Sequence, residues 1–518
     1  MRLPRLLLPM TAALLAAGSL LAPTAHAAAT CGTTTAADEW PTFGRDVANS
    51  RTQSAAGDIS PDSVHNLTPS WTYSTGAGAG SGDLNGTPIV SGGCVFINTA
   101  SGHIVALDAG TGAVVWEHHV DIPVADTGLG SGVFISSPVV DPVTQRLYAL
   151  VSRSGRPSVI ALDLADGRVR GEHTIIEGNG YYTQATPVIA GRVLIVGFSP
   201  VEGDPNERGG VTLFRLPSSA RSSAPWHSTV VYTIPDADFQ NPPHYAGGGI
   251  WTAPAVDLDN GYAYAGTSNP YSKKVEHENT NAILKIDVDP SRDTYGTIIG
   301  SYKGLIEQYD ENVRDIDQPV CDTTGEEDLS QEPVGDSTTC LQLDLDFGAS
   351  PNLFHASDGT LLVGDLQKAG VYHAARADTM AGVWKSTVGG SCAACNAAAW
   401  AFDGSPIGVS SPGTTMFSLS KDDGSPQWAS PVADGTHYQS TSIAGGVVFT
   451  VDNYGNLVAF DEATGLPIAK RPIALDTSGT AGPALTSAGV AIARGRIYAA
   501  AGNTVVAYSP AAAPVALP

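Results

Sequence analysis

Positive charge is scarce in this chain. Its 518 residues include 27 Lys and Arg against 51 Asp and Glu, a formal net charge of −24. A surface this acidic repels phosphate backbones and anionic headgroups, which excludes nucleic acid as a partner and disfavours anionic membrane surfaces. Charge of either sign is low at 15%, against 42% apolar residues, too apolar a balance for a disordered chain. After the N-terminal segment no apolar run is long enough to span a bilayer. No Gly-x-Ser-x-Gly elbow and no zinc-ligand His pair occur, which leaves a hydrolase without support. Long helical periodicities and a linker to a second domain are missing as well.

Turn residues, in contrast, are plentiful: 58 Gly and 35 Pro fit many short strands joined by turns. The first residues read as an export signal. Arg2 and Arg5 precede a mostly apolar run from Leu6 to Ala22, and Ala25-His26-Ala27 fits a small-x-small cleavage pattern. The expectation is a signal peptide over 1–27, a single domain over 28–518 and a secreted protein. Six cysteines in an exported chain suggest disulfides but leave fifteen pairings open. Cys392 and Cys395 are close enough to pair locally, Cys321 with Cys340 would close an acidic loop, and Cys31 with Cys94 would tie down the N-terminus. Cys395 is followed by Asn396 rather than His, so no covalent haem site is expected.

The strongest internal signal is a repeat: strand, turn, strand, then an Asp-x-x-x-Gly turn and another strand. One copy runs from Gly86-Thr87-Pro88 to Asp108, Gly112 and Trp116. A second runs from Ser137-Pro138 to Asp163 and Gly167, and a late one from Ser442 to Asp461 and Gly465. Diverged copies begin near Thr186-Pro187, Ala253-Pro254, Ser350-Pro351, Gly404-Ser405 and Gly482-Pro483. The spacing is that of propeller blades. Strands rich in Val, Ile and Leu must bury both faces against neighbouring blades. Gly takes the left-handed position of the turn, and the Trp or other bulky residue after it packs between blades. The last unit, ending at Tyr508, lacks an outermost strand, which Pro69-Ser70-Trp71-Thr72-Tyr73 would supply. The expectation is an all-β fold, an eight-bladed propeller of four-stranded blades closed by an N-terminal strand. An acidic insertion is expected over 302–340.

Trp40-Pro-Thr-Phe-Gly44-Arg45-Asp46 with Asn49 and Arg51, followed by Ile59-Ser-Pro and Asn66-Leu67-Thr-Pro-Ser-Trp71, resembles the opening of pyrroloquinoline quinone (PQQ) dependent alcohol dehydrogenases. The repeats resemble that family's over nearly the whole chain. Asp346-Phe-Gly-Ala-Ser-Pro351-Asn-Leu-Phe354 and Gln367-Lys368-Ala-Gly370-Val-Tyr372 are similar to its polyvinyl-alcohol dehydrogenase branch. The resemblance implies PQQ and Ca²⁺ as cofactors and oxidation of a secondary alcohol, a polymeric one included, to a ketone. Hydride would pass to the Ca²⁺-polarised quinone, and electrons would go on to a separate acceptor, a cytochrome or a quinone. Such chemistry needs hard oxygen ligands for the ion, a cation at the quinone oxygens, a carboxylate base and a flat aromatic beneath the cofactor.

The resemblance assigns these roles residue by residue. Ser199-Pro-Val-Glu202 is similar to the calcium-ligating glutamate motif. Gly266-Thr-Ser268-Asn269-Pro270 resembles Gly-Thr-Gly-Asn-Pro, with Asn269 as amide ligand and Ser268 in place of the usual Gly. Gly247-Gly-Gly-Ile-Trp251 resembles the segment carrying the floor tryptophan, eighteen positions before Asn269 as in the family. Leu345-Asp346-Phe347 resembles Trp-Asp-Tyr, which makes Asp346 the base and a metal contact. Asp344 shares its face of an extended strand, so periodicity does not separate the two. Gly348 stands where lanthanide-using members carry a further Asp, which favours calcium. Lys368 resembles the cation at the quinone oxygens, Thr183 a polar cofactor contact, and Trp400 a residue lining the same cavity. Each also has an ordinary structural reading: loop Glu, turn Asn before Pro, blade-packing Trp, solvated Lys. Non-catalytic propellers share the repeat, so a binding or scaffold protein is the alternative. The family's adjacent-cysteine disulfide is absent here.

Overall fold

The computed structural model describes residues 30–75, 84, 86–120, 136–153, 156–178, 180–201, 204–220, 226–271, 276–304, 313–315, 341–343, 345–389, 399–410, 414–432, 437–477 and 489–510. The expected signal segment 1–27, Glu202, Asp344, Cys321, Cys340, Cys392 and Cys395 lie outside them, as does most of 302–340.

Eight blades of four antiparallel strands follow one another along the chain, two of them with one further short strand: Tyr181–Tyr182 beside Val193–Pro200, and Thr52–Gln53 in parallel with Ser442–Ala444. Their innermost strands are Ile89–Ser91, Val139–Asp141, Val188–Ala190, Ala255–Asp257, Asn352–His355, Ala401–Phe402, Ser442–Ala444 and Ala491–Ala493, which number blades 1 to 8. The fold is the expected eight-bladed propeller. Blade 8 takes its outermost strand, Leu67–Ser74, from the N-terminal part of the chain, pairing antiparallel with Thr504–Pro510. Closing the sheet ring in this way leaves no free end between first and last blades. Blade 6 starts earlier than expected. Ala401–Phe402 is its first strand, while Gly404 and Ser405 turn into the second, Pro406–Val409. Blade 4 ends at Ile298–Lys303, so Tyr302 and Lys303 belong to the blade rather than to the insertion. Beyond it, Val313–Asp315 pairs in parallel with Leu341–Leu343. The single α-helix among the described residues, Asp236–Gln240, is too short to cross a membrane.

The blades are joined by a repeated tryptophan contact. In blade 1 the third and fourth strands slip register beside Trp116, and blades 5, 6 and 8 slip beside Trp384, Trp428 and Trp71. A bulge of this kind re-aims a side chain, and here it turns each indole into the seam with the next blade. Trp116 donates its indole N–H to the Leu164 carbonyl at 2.8 Å, and Trp71 to Ala109 at 3.1 Å. Trp384 and Trp428 donate to Lys421 and Glu462 in the same way. The ring lies on the glycine that ends the Asp-x-x-x-Gly turn. A Cβ on Gly167 would stand 2.5 Å from Trp116 Cε3.

The Trp40–Arg51 segment closes the middle of the ring. It runs past the innermost strands and bonds to most of them in turn. Trp40 exchanges backbone bonds with Val90, and the carbonyls of Val47, Ala48, Ser50 and Arg51 accept from Val256, Leu353, Phe402 and Ile443. Edge groups of blades 1, 4, 5, 6 and 7 are thereby covered. Arg51 is fully buried and anchors the segment, donating to the carbonyls of Thr441 and Phe43, each at 2.6 Å, and to Ser442 Oγ at 3.1 Å. Burial pulls its pKa down to about 9. The Cys31–Cys94 disulfide fixes the start of the described chain to blade 1.

Candidate functional site

In every blade the lead-in to the first strand and the turn after the second strand lie at the same end of the antiparallel sheet, because the first two strands run in opposite directions. Among the described residues, blades 3, 4 and 5 carry five of the sequence candidates at these two positions. The lead-ins hold Thr183, Trp251 and Asp346. The turns after Tyr262–Gly266 and Leu361–Gln367 hold Asn269 and Lys368, and Glu202 lies outside the described residues. Repeat geometry, rather than proximity in sequence, is what presents them together.

Four of them meet. Asp346 is buried, 4% exposed, and its Oδ1 accepts the Asn269 backbone N–H at 2.6 Å. Its Oδ2 lies 3.2 Å from Lys368 Nζ, and Lys368 N donates to the Asp346 carbonyl at 2.8 Å. The Lys368 ammonium is itself buried and stands 5.1 Å from the centre of the Trp251 ring, within reach of a cation–π contact. Gly348 leaves space at the junction: a Cβ there would approach Trp251 at 3.0 Å and the Lys368 stem at 3.1 Å. A carboxylate, an ammonium and an aromatic face thus share one buried corner.

Blade 4 holds its two contributions to each other through a short ladder. Gly248 N donates to the Asn269 carbonyl, Tyr271 N to Ala246, and Ser268 N to Gly249, at 2.8–2.9 Å. The Ser268 hydroxyl accepts the Gly249 N–H at 2.7 Å. The serine that departs from the family's glycine therefore adds a bond between the Trp251 and Asn269 segments. Sequence reading missed this, since nothing local marks the partner. The Asn269 side-chain nitrogen is buried with no hydrogen-bond partner, a donor left unsatisfied at the corner.

Two candidates behave differently. Thr183 is buried, and its hydroxyl donates to the Gly197 carbonyl at 2.7 Å, on the blade 3 wall beside Ile250. Trp400 is not brought into the corner. It is fully buried between blades 5 and 6, donates its indole N–H to Val409 at 3.2 Å, and lies 4.6 Å from the Tyr372 ring. Because Ala401 begins its strand directly after it, the side chain enters the interblade core. Sequence reading also passed over Gln367, His373 and Tyr302, buried or half-buried polar groups directly behind the corner. The described residues contain no cluster of three or more metal-type side chains.

Residues 40–282 match a family model described as "Glucose/ethanol/alcohol dehydrogenase, beta-propeller domain", and residues 310–515 match one described as "Outer membrane protein assembly factor BamB". A polyvinylalcohol dehydrogenase of a Pseudomonas species is 26% identical over 273 residues, covering 49% of this chain and 39% of its own. A polyvinylalcohol dehydrogenase of Sphingopyxis sp. (strain 113P3) is 25% identical over 480 residues, 81% of this chain and 67% of its own. The match thus spans well under half the length of the first of these relatives. In fold, the chain is similar to the quinohemoprotein alcohol dehydrogenase of Comamonas testosteroni, with a TM-score of 0.65 at 16% identity over 92% of this chain and 82% of that one. A europium-containing methanol dehydrogenase gives 0.65 at 13% identity over 92% and 98%.

Proposed function

We propose, for a chain that belongs to the family of PQQ-dependent alcohol dehydrogenases, that it oxidises a secondary alcohol to a ketone with Asp346 as the base. The observation that carries this reading is the Asp346 carboxylate held between the Asn269 N–H and the Lys368 ammonium, with Trp251 beneath the ammonium.

The residues present fit the implied cofactors. Asp346 and the side-chain amide oxygen of Asn269 are hard donors of the kind calcium takes, and Glu202 would complete the set. Trp251 offers a flat face for PQQ, and Gly348 keeps the space beside it clear of a Cβ. An aspartate at 348 would push into the Trp251 ring and the Lys368 stem, which supports calcium over a lanthanide. Bound PQQ supplies the acceptor for the hydrogen and two electrons that leave the carbinol carbon. Asp346 takes the hydroxyl proton. Lys368 offsets the carboxylate charge before that transfer and remains a fixed positive charge after it. Asn269 N–H keeps Oδ1 oriented throughout. Thr183 would border the same space from blade 3.

The relatives bear the name polyvinylalcohol dehydrogenase, so a polymeric secondary alcohol is the first substrate to try. Export by the segment over 1–27 and reoxidation by a separate acceptor complete the reading. The test is purified protein incubated with PQQ and Ca²⁺ and assayed by dye reduction against a panel of primary, secondary and polymeric alcohols. Secondary alcohols, polyvinyl alcohol among them, should turn over fastest. The match of residues 310–515 to an assembly-factor propeller favours a second reading, a scaffold without chemistry. That reading requires neither PQQ uptake nor turnover of any alcohol.

A further inference from the structure

Asp346 stands some forty residues beyond the last strand of blade 4, at the far end of a long connection into blade 5. A long loop leaves its far end poorly placed by chain connectivity alone. A base must nevertheless be held to within a fraction of an ångström, since a misplacement of about 1 Å costs on the order of 100-fold in rate. Something besides connectivity along the chain has to fix Asp346.

A directional hydrogen-bond chain does this from behind. Gln367, fully buried, donates its side-chain N–H to the Leu345 carbonyl at 2.7 Å. A carbonyl only accepts, so the amide nitrogen of Gln367 faces Leu345 and its Oε1 faces His373 Nε2, 3.0 Å away. His373 must then carry its proton on Nε2, leaving Nδ1 to accept from the Tyr302 hydroxyl at 3.0 Å. Burial lowers the His373 pKa to about 3, with Lys385 on the neighbouring strand adding to the effect. The imidazole therefore stays neutral, and the chain keeps one polarity, throughout the working pH range. Phe347 rests edge-on against the His373 ring at 5.3 Å. Phe347 also forms an isolated antiparallel bridge with Gln367.

The chain touches the residues on both sides of Asp346 and the residue immediately before Lys368, but neither functional group itself. It also joins Tyr302, before the long stretch, to Leu345, after it. We propose that Gln367 and His373 are positioning residues that set Asp346 against Lys368. The inference rests on the alcohol-oxidation reading for its consequence in rate, but not for its geometry.

The test uses Gln367→Met in the full chain. Without cofactor, hydrogen exchange at the Phe347 and Lys368 amides should be at least about tenfold faster than in wild type, while the blade 7 strand Val447–Val451 is unchanged. With PQQ and Ca²⁺, kcat should fall about 10- to 100-fold, the usual cost of removing an outer-shell partner, with KM within about twofold. If Gln367→Met fails to fold, Tyr302→Phe tests the same chain and should show both effects more weakly. Unchanged exchange at Phe347 and Lys368 overturns the proposal, as does unchanged kcat in an active enzyme. A wild-type protein that takes up no PQQ sinks the alcohol-oxidation reading, and the exchange measurement still decides this one.

Discussion

Lys368 Nζ lies 3.2 Å from Asp346 Oδ2, and both side chains are almost wholly buried, at 10% and 6% exposure. They come from the lead-in and the second-strand turn of one blade, joined by a backbone bond as well as by charge. An ion pair withdrawn from water in this way is an expensive way to gain stability. Under the proposed alcohol oxidation, the pair would hold the charge of a base ready.

Replacement of Asp346 by Asn keeps the size of the side chain and its contact with the Asn269 N–H, but removes the base. Turnover of the best alcohol should fall about 100- to 10,000-fold, while PQQ uptake, read by absorbance, persists. Retained turnover would reassign the base.

Lys368→Met removes the ammonium but keeps much of the apolar stem against Trp251. It leaves a buried carboxylate without its cation, so the cofactor-free protein should lose about 3 kcal/mol of stability, read by urea unfolding. Alcohol oxidation should fall in parallel. An unchanged unfolding midpoint would mean that the pair is solvated in solution.

The blade repeat was legible because it is written locally: apolar strands, Asp-x-x-x-Gly turns and a following Trp appear within single units, as in Asp108, Gly112 and Trp116. Closure by Trp71 was legible from the missing strand after Tyr508. What escaped was set by tertiary contact. Ala401–Phe402 is two residues long and too short to carry a pattern, so the start of blade 6 was misplaced and Trp400 was assigned to a cavity rather than to the core it fills. The Trp40–Arg51 segment was legible as a family signature, but its course across the innermost strands was not, since its partners are spread over the whole chain. Asp346, Lys368, Asn269 and Trp251, which the structure brings together, were singled out through motif resemblance. Gln367 stands in the motif that carries Lys368, and His373 directly follows it, but their bonding to each other shows only in the folded arrangement.

The interblade seam makes a graded prediction. Gly167 and Gly404 both have positive φ, 68° and 75°, but only Gly167 lies under a Trp ring; a Cβ on Gly404 would meet nothing within 4 Å. Gly404→Ala should cost about 1 kcal/mol from backbone conformation alone. Gly167→Ala should cost roughly twice that or more, through overpacking against Trp116. Equal losses in thermal or urea unfolding would argue that the seam yields freely.

Asp365, fully buried behind the corner, accepts the Leu366 N–H on one oxygen, while its other oxygen has no partner. Burial raises its pKa well above the ordinary 3.8, against the smaller effect of that N–H. The folded state therefore holds a proton that the unfolded chain releases. Stability from this group is complete below about pH 3.8 and declines as pH rises towards the folded value, by about 1.4 kcal/mol per pH unit within that window. Asp365→Asn removes the titration. Its melting temperature relative to wild type should rise steadily from pH 4 upward, and a difference independent of pH would refute a proton held at this position.

Equilibrium binding of PQQ to the cofactor-free protein in the presence of Ca²⁺, followed by tryptophan fluorescence, tests the central claim most directly. Uptake of one PQQ per chain is expected, with affinity strongly reduced in Trp251→Ala and Asn269→Ala and lost on chelation of calcium. Absence of saturable uptake, or uptake indifferent to both substitutions, would contradict it.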